Sequence, residues 1–115
     1  MERRGKYNAK LVEINGIRFD STAEAMRYRE LLLMEQAGEI WNLKVHQRYE
    51  IVPPVVFNGR LLKAKYYEAD FTYFDRLTKC TTVEDVKGMR TDLYLIKRNL
   101  FLLRYPSLKF VEIEP

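Results

Sequence analysis

The segment at residues 82–88 limits the possible folds most strongly, because it combines β-forming residues with an acid and an amine. Val83 and Val86 favour a strand, and a glycine ends the run. Side chains alternate across a strand, so Asp85 and Lys87 share one face. Asp is disfavoured in strands, and a buried charge without a partner is costly. The fold must therefore compensate this charge, either in a simple ion pair on an exposed face or in a functional site.

Length and composition indicate a folded protein. The 115 residues suffice for one core and are too few for two, and 47% of them are apolar. We predict a single domain over residues 1–115, with residues 1–10 as a flexible basic arm. No segment reaches the roughly 18 apolar residues of a membrane span, and no apolar segment follows the basic N-terminus. The protein is expected to be intracellular, without a membrane partner.

The rare residue types narrow the possible chemistry. Cys80 is the only cysteine, which excludes an internal disulfide and a cysteine-rich zinc site. The single histidine, His46, excludes histidine-based metal clusters and Ser-His-Asp catalysis. An enzyme with this sequence must use carboxylates, lysine and, where needed, a metal ion. The net charge of +4 permits a nucleic-acid partner.

Turn and cap signals divide the chain into successive elements. Asn-Gly pairs at 15–16 and 58–59 predict two β-hairpins. Ser21 and Glu24 form a capping-box pattern that begins a helix over residues 22–37, with Met26 on its core-facing side. A second helix begins at the cap Thr91 and ends near residue 105. Its buried stripe is predicted to consist of Leu93, Ile96, Leu100 and Leu103.

The predicted strands complete the fold. Short strands are expected at 40–45 and 47–52, a long strand at 61–74, and a last strand at 108–113. Alternation along the long strand places Tyr67, Ala69, Phe71 and Tyr73 on one face and Asp70 on the other. Asp70 and Asp85 then lie on adjacent antiparallel strands. The order of elements predicts an α+β fold with a mixed β-sheet flanked by helices and an N-terminal β-hairpin.

The acids of these elements indicate a metal site. Carboxylate oxygens without sulfur or imidazole favour a hard divalent cation such as Mg²⁺ or Mn²⁺. Phosphodiester hydrolysis needs what such an ion supplies, namely a polarised phosphoryl oxygen and an activated water. Lys87 beside the metal would orient that water or help to deprotonate it, and would balance the extra negative charge of the transition state.

The sequence YEADF at 67–71, followed by VEDVKG at 83–88, resembles the PD-(D/E)xK nuclease superfamily. It is most similar to small phage-encoded members, whose relatives include Holliday-junction resolvases, and the resemblance extends over about residues 6–113. It implies a restriction-endonuclease-like fold. It also implies metal ligation by Asp70, Asp85, Glu24 and the carbonyl of Val86, with Lys87 as the catalytic lysine. The chain departs from the pattern by having Asp85 instead of the commoner Glu, and Ala69 where Pro is usual.

The resemblance implies a metal-dependent DNA endonuclease that acts on branched DNA or on recombination and replication intermediates of phage DNA. Its location would be the cytoplasm, in a host cell if the chain is phage-encoded. A homodimer is a further expectation, formed through residues 11–19 and 55–62; the alternative is that both hairpins fold back on their own sheet. The second functional interpretation is a non-catalytic nucleic-acid-binding module, whose surface would be the basic arm with the aromatic residues Tyr66, Tyr67, Tyr73 and Phe74, or a partner-binding domain on a nuclease fold.

Several residues keep two interpretations. Glu24 is either a metal ligand or only the capping-box partner of Ser21. Glu84 is expected to face solvent or a dimer partner, Glu68 is a weaker ligand candidate, and His46 is interpreted as structural. Candidate nucleic-acid contacts are Arg3, Arg4, Lys6, Gln47, Arg90 and Lys97.

Overall fold

The computed structural model describes residues 11–115 and confirms the predicted α+β fold with an N-terminal β-hairpin. The helices are α1 (Thr22–Gln36) and α2 (Asp92–Arg104). The strands are β1 (Val12–Ile14), β2 (Ile17–Phe19), β3 (Ile40–Val45), β4 (Arg48–Val52), β5 (Val55–Phe57), β6 (Arg60–Leu62), β7 (Lys65–Glu68), β8 (Phe71–Asp75), β9 (Cys80–Val86) and β10 (Lys109–Ile113). Neither helix is long and apolar enough to cross a membrane.

The main sheet has four strands in the order β10-β9-β8-β3. It is mixed, because β9 runs antiparallel to β8 and parallel to β10. Strand β9 carries the acid of the 82–88 segment, Lys87 follows directly after its last residue, and the strand has a neighbour on each side. Its residues from Thr82 to the end of the strand are all buried. A charged side chain on either face of β9 therefore needs a partner inside the protein.

The predicted long strand at 61–74 is wrong, because the chain is interrupted at 63–64 and again at 69–70 and forms β6, β7 and β8 in three separate sheets. The second interruption is a bend before β8. Val45 pairs with Phe71 and Arg48 with Glu68, so β3–β8 and β4–β7 share one antiparallel register on either side of the bend. At the bend His46 has a φ of 58°, and its N–H donates to the Asp70 carbonyl at 3.1 Å. Positive φ in a non-glycine residue is uncommon and redirects the chain. The bend places Asp70 at a corner between two ladders.

The bend also divides the core. Phe71 and Tyr73 pack with α1 and the opening hairpin, whereas Tyr67 and Ala69 pack with α2. The prediction that these four residues share one environment is therefore wrong. The opening hairpin packs on its own chain, with Phe19 fully buried in the α1 core.

Helix α2 buries a different face from the one that the sequence predicts, whereas α1 buries most of its predicted stripe and departs from it at Met26. In α1 the buried residues include Tyr28 and Leu31, while Met26 is 60% exposed. In α2 Tyr94 and Phe101 are buried, seven residues and thus about two turns apart. The predicted stripe of α2 points outward, with three of its members exposed: Leu93, Ile96 and Leu103. Aromatic rings bury more surface than leucine, and their contacts determine how α2 is rotated.

Candidate functional site

Asp70 is fixed to strand β9 through both its backbone and its side chain. Its N–H donates to the Glu84 carbonyl at 3.1 Å, and its Oδ2 accepts from the Val86 N–H at 2.7 Å. The register that pairs Phe71 with Glu84 puts Asp70 opposite Asp85. The predicted adjacency of these two acids on antiparallel chain segments is therefore found in the structure.

Asp85 is buried, and its two oxygens have different surroundings. The Tyr67 hydroxyl donates to Oδ2. Lys87 Nζ lies 3.3 Å from Oδ1, yet Oδ1 accepts no well-aligned hydrogen bond within residues 11–115. The Lys87 amine also lies 4.7 Å from the centre of the Tyr94 ring, a cation–π distance. Asp85 thus has one oxygen that is held and one that retains acceptor capacity.

Glu24 and His46 meet Asp70 at the same corner. One ligand atom from each of the three lies within 4.8 Å of the others. Glu24 stands in the first turn of α1, where Ser21 Oγ accepts its N–H at 3.1 Å. Asp85 is not one of this compact group, although it lies beside it on β9. Two carboxylates and one imidazole from three separate elements thus converge on a space that an ion can occupy.

Burial and mutual repulsion disfavour the ionised forms of these acids. Burial, reinforced by Asp20 and Asp85, raises the pKa of Glu24 to about 7. Burial also raises the pKa of Asp70, and the charges of Asp85 and Glu24 act in the same direction. The pKa of Asp85 is raised by burial against the opposing effects of Tyr67 and Lys87. A divalent cation would relieve this repulsion. Oδ1 of Asp85, which retains acceptor capacity, would be a further ligand for such an ion.

On the opposite face of β9, Glu84 is buried in a network of its own. Arg27 donates to its carboxylate from Nε at 2.9 Å and from Nη2 at 2.6 Å, and the Tyr73 hydroxyl donates to Oε2. The prediction that Glu84 faces solvent or a dimer partner is therefore wrong, because β9 is an interior strand with both faces covered. Arg27 follows Glu24 by three residues in α1, so this bidentate pair also fixes α1 against β9.

The remaining candidates differ in whether they line the same cavity as the acids. Lys97 and the exposed Glu68 line a cavity of about 240 Å³ together with Asp85 and Lys87. Gln47 lines a different cavity, although its carbonyl accepts the Ala69 N–H at the bend.

Arg90 is already paired, with Glu112 at 3.1 Å and Glu114 at 2.8 Å. Three candidates fall outside the described residues: Arg3, Arg4 and Lys6.

Two site residues escape the sequence-based prediction. Tyr67, which holds Asp85, has no signal, because its contact depends on packing between strands. For His46 the sequence contains a weak signal. Counting the register back from the Asn58-Gly59 turn places His46 opposite residue 71, one position from its observed partner Asp70. The difference is the irregularity between Glu50 and Val52.

Comparisons with known proteins give one match. No curated protein and no solved structure matches the chain significantly. A family model described as "Protein of unknown function (DUF1064)" matches residues 4–114. Because this match spans nearly the whole sequence, the chain belongs to the DUF1064 family of proteins of unknown function.

Proposed function

We propose that this protein is a metal-dependent DNA endonuclease of the PD-(D/E)xK type. One observation carries the proposal: the carboxylates of Glu24 and Asp70 meet at a corner beside the buried Asp85, which is paired with the half-buried Lys87. Buried acids that raise one another's pKa are typical of functional sites. A purely structural ion pair on an exposed face would require neither the third acid nor the burial.

The acids at the corner would hold Mg²⁺ or Mn²⁺. Glu24, Asp70 and Asp85 supply the hard oxygen donors that such ions prefer, and the carbonyl of Val86 and the imidazole of His46 are further donors. When bound, the ion polarises a phosphoryl oxygen and lowers the pKa of a coordinated water. Tyr67 holds Oδ2 of Asp85, which leaves Oδ1 for ligation without movement of the strand.

Lys87 supplies a fixed positive charge beside these acids. Its amine is held between Asp85 Oδ1 and the Tyr94 ring. From this position it would donate a hydrogen bond to the attacking water and stabilise the additional negative charge of the transition state. A compact amine suits this place better than a planar guanidinium, which would need more room beside the carboxylate.

The substrate we propose is DNA, and specifically branched DNA or another recombination or replication intermediate. The net charge of +4 favours a polyanionic ligand. Lys97 lines the same cavity as Asp85 and Lys87, where its amine would contact a phosphate. The preference for branched substrates derives from the resemblance to phage resolvases.

The test is a cleavage assay on labelled four-way junction, flap, nicked and linear DNA, with Mg²⁺, with Mn²⁺ and with excess chelator. We expect cutting only with metal, and a loss on the order of 10²-fold or more in Asp85→Asn, because that variant loses a charged ligand. Glu13→Gln, which alters an exposed acid on β1, is the matched control and should cut normally.

DNA binding should persist in Asp85→Asn, because the substitution removes no positively charged side chain. Cutting in excess chelator, or normal cutting by Asp85→Asn, would contradict the proposal. Tight DNA binding without cleavage of any substrate in either metal would instead identify a non-catalytic binding module.

A further inference from the structure

The hairpin formed by β5 and β6, residues 55–62, extends away from the rest of the molecule; we call it the exposed hairpin. Among residues 11–115, its two strands pair only with each other and make no extended contact with another element. The radius of gyration is 16.1 Å, whereas about 13 Å is expected for a compact domain of this size. Isolated two-stranded hairpins are marginally stable in water. The exposed hairpin therefore needs a surface on which to pack.

Both faces of the exposed hairpin carry large apolar side chains. Val56 pairs with Leu61 on one face, and Val55 pairs with Leu62 on the other, where Phe57 pairs with Arg60 near the tip. The five apolar side chains are between 42% and 70% exposed. A strand pair at a protein surface normally keeps one face polar. A hairpin with two apolar faces is typical of a segment that inserts between other protein elements.

A second apolar surface lies on α2. Leu93, Ile96 and Leu103 are 57% to 79% exposed and follow one side of the helix; we call them the α2 stripe. The opposite side of α2 packs on β4 and β7, the strands from which the exposed hairpin extends. The two apolar surfaces therefore belong to the same part of the fold.

We propose that the exposed hairpin and the α2 stripe form a homodimer interface, covered by a second copy of this chain. Each surface presents on the order of 500 Å², and together they reach the roughly 800 Å² per partner of a standard interface. A two-fold dimer buries both surfaces on both copies without any other molecule. The argument uses no catalytic residue, although Leu93 also lines the cavity of Asp85 and Lys87, so this interface would border the proposed active site.

The distribution of charge favours a second copy over nucleic acid at this surface. The hairpin has one cation near its tip, Arg60, and Lys63 and Lys65 lie at its base. The intervening positions are filled by apolar side chains, which cannot donate to phosphate. Cations at the edge and apolar groups at the centre match the polar rim and hydrophobic core of protein interfaces.

Light scattering coupled to size exclusion, at micromolar concentration, tests the dimer. We expect the wild-type protein to have twice the chain mass of 13.8 kDa. The variants Val56→Glu/Leu61→Glu and Leu103→Glu should have the mass of one chain, because each places charge in the interface. Leu77→Glu is the matched control, since Leu77 is 90% exposed in the turn before β9, and it should remain dimeric.

A milder variant shows whether the loss of the dimer results from unfolding of the hairpin. Val56→Thr/Leu61→Thr places β-branched threonine, a good strand former, in both strands and should raise the dimer dissociation constant at least about 10-fold. Circular dichroism should show native secondary structure in every variant, because none of the substituted residues belongs to either core. A wild-type protein with the mass of one chain would overturn the proposal, and so would hairpin and stripe variants that keep the wild-type mass. Loss of DNA binding by a hairpin variant of a monomeric wild type would assign the hairpin to nucleic acid instead.

Discussion

Glu84 shows how a charged residue is accommodated inside a four-stranded sheet. Its carboxylate is 1% exposed, and it is held by two nitrogens of Arg27 and by the Tyr73 hydroxyl. Such a pair adds little net stability over an apolar substitute, because both ions must be desolvated. Its consequence is geometric. The pair fixes the orientation of α1, and so the position of Glu24, relative to Asp85 on the other face of β9.

Removing one partner of this pair should be costly. We predict that Arg27→Met lowers the free energy of unfolding by about 3 kcal/mol, because Glu84 would remain buried with Tyr73 as its only donor. Urea denaturation monitored by circular dichroism measures the change. Arg29→Met, an exposed substitution on the same helix, is the control and should change stability by less than about 0.5 kcal/mol. Equal losses in the two variants would show that Glu84 does not need its partner.

At the scale of elements, the sequence identifies the strands and helices better than it identifies their environments. The caps Ser21 and Thr91 and both Asn-Gly turns lie where the sequence predicts. Asp70 also meets β9 as alternation and antiparallel pairing predict. The bend at His46 is not predictable from alternation, because the apolar-polar pattern continues through Ala69 and Asp70.

The α2 stripe gives the opposite lesson. The spacing of Leu93, Ile96 and Leu103 correctly identifies an apolar helix face, but spacing alone does not tell what covers it. Within the chain, Tyr94 and Phe101 occupy the contact with β4 and β7. The interface between copies that we propose would explain the pattern, and a single sequence cannot distinguish such an interface from an internal core.

The start of α1 offers a way to separate the two interpretations of Glu24. Ser21 caps the helix by accepting the Glu24 N–H, a bond that does not involve the Glu24 carboxylate. We predict that Ser21→Ala lowers the free energy of unfolding by about 1 kcal/mol. Glu24→Gln should leave stability at neutral pH unchanged or raised, because it removes a buried acid. Mn²⁺ titration by calorimetry should show weaker binding in Glu24→Gln and nearly normal binding in Ser21→Ala; the reverse pattern would make Glu24 a cap only.

For the molecule as a whole, the buried acids create a conflict between folding and function. The +4 charge would favour a polyanion, yet at the corner of the sheet several acids lie together and raise one another's pKa. The folded protein without metal therefore holds protons that the unfolded chain would release. The divalent cation that we propose would replace those protons, so its binding would be linked to proton release.

The linkage predicts how stability depends on pH. The pKa of Glu24 rises from 4.5 to about 7 on folding, so its carboxyl favours the folded state at low pH and disfavours it as pH rises through that range. Asp70 acts in the same direction. Without metal, the melting temperature of the wild-type protein should therefore fall more between about pH 5 and pH 8 than that of Glu24→Gln. The reason is that the folded wild type binds more protons than the unfolded chain in this range. Mn²⁺ at the upper pH should restore the melting temperature of the wild type more than that of Glu24→Gln, because a ligand that binds the folded state stabilises it by its affinity. Differential scanning fluorimetry measures both effects. Identical pH profiles of the two proteins would show that Glu24 is not among the acids whose pKa is raised on folding.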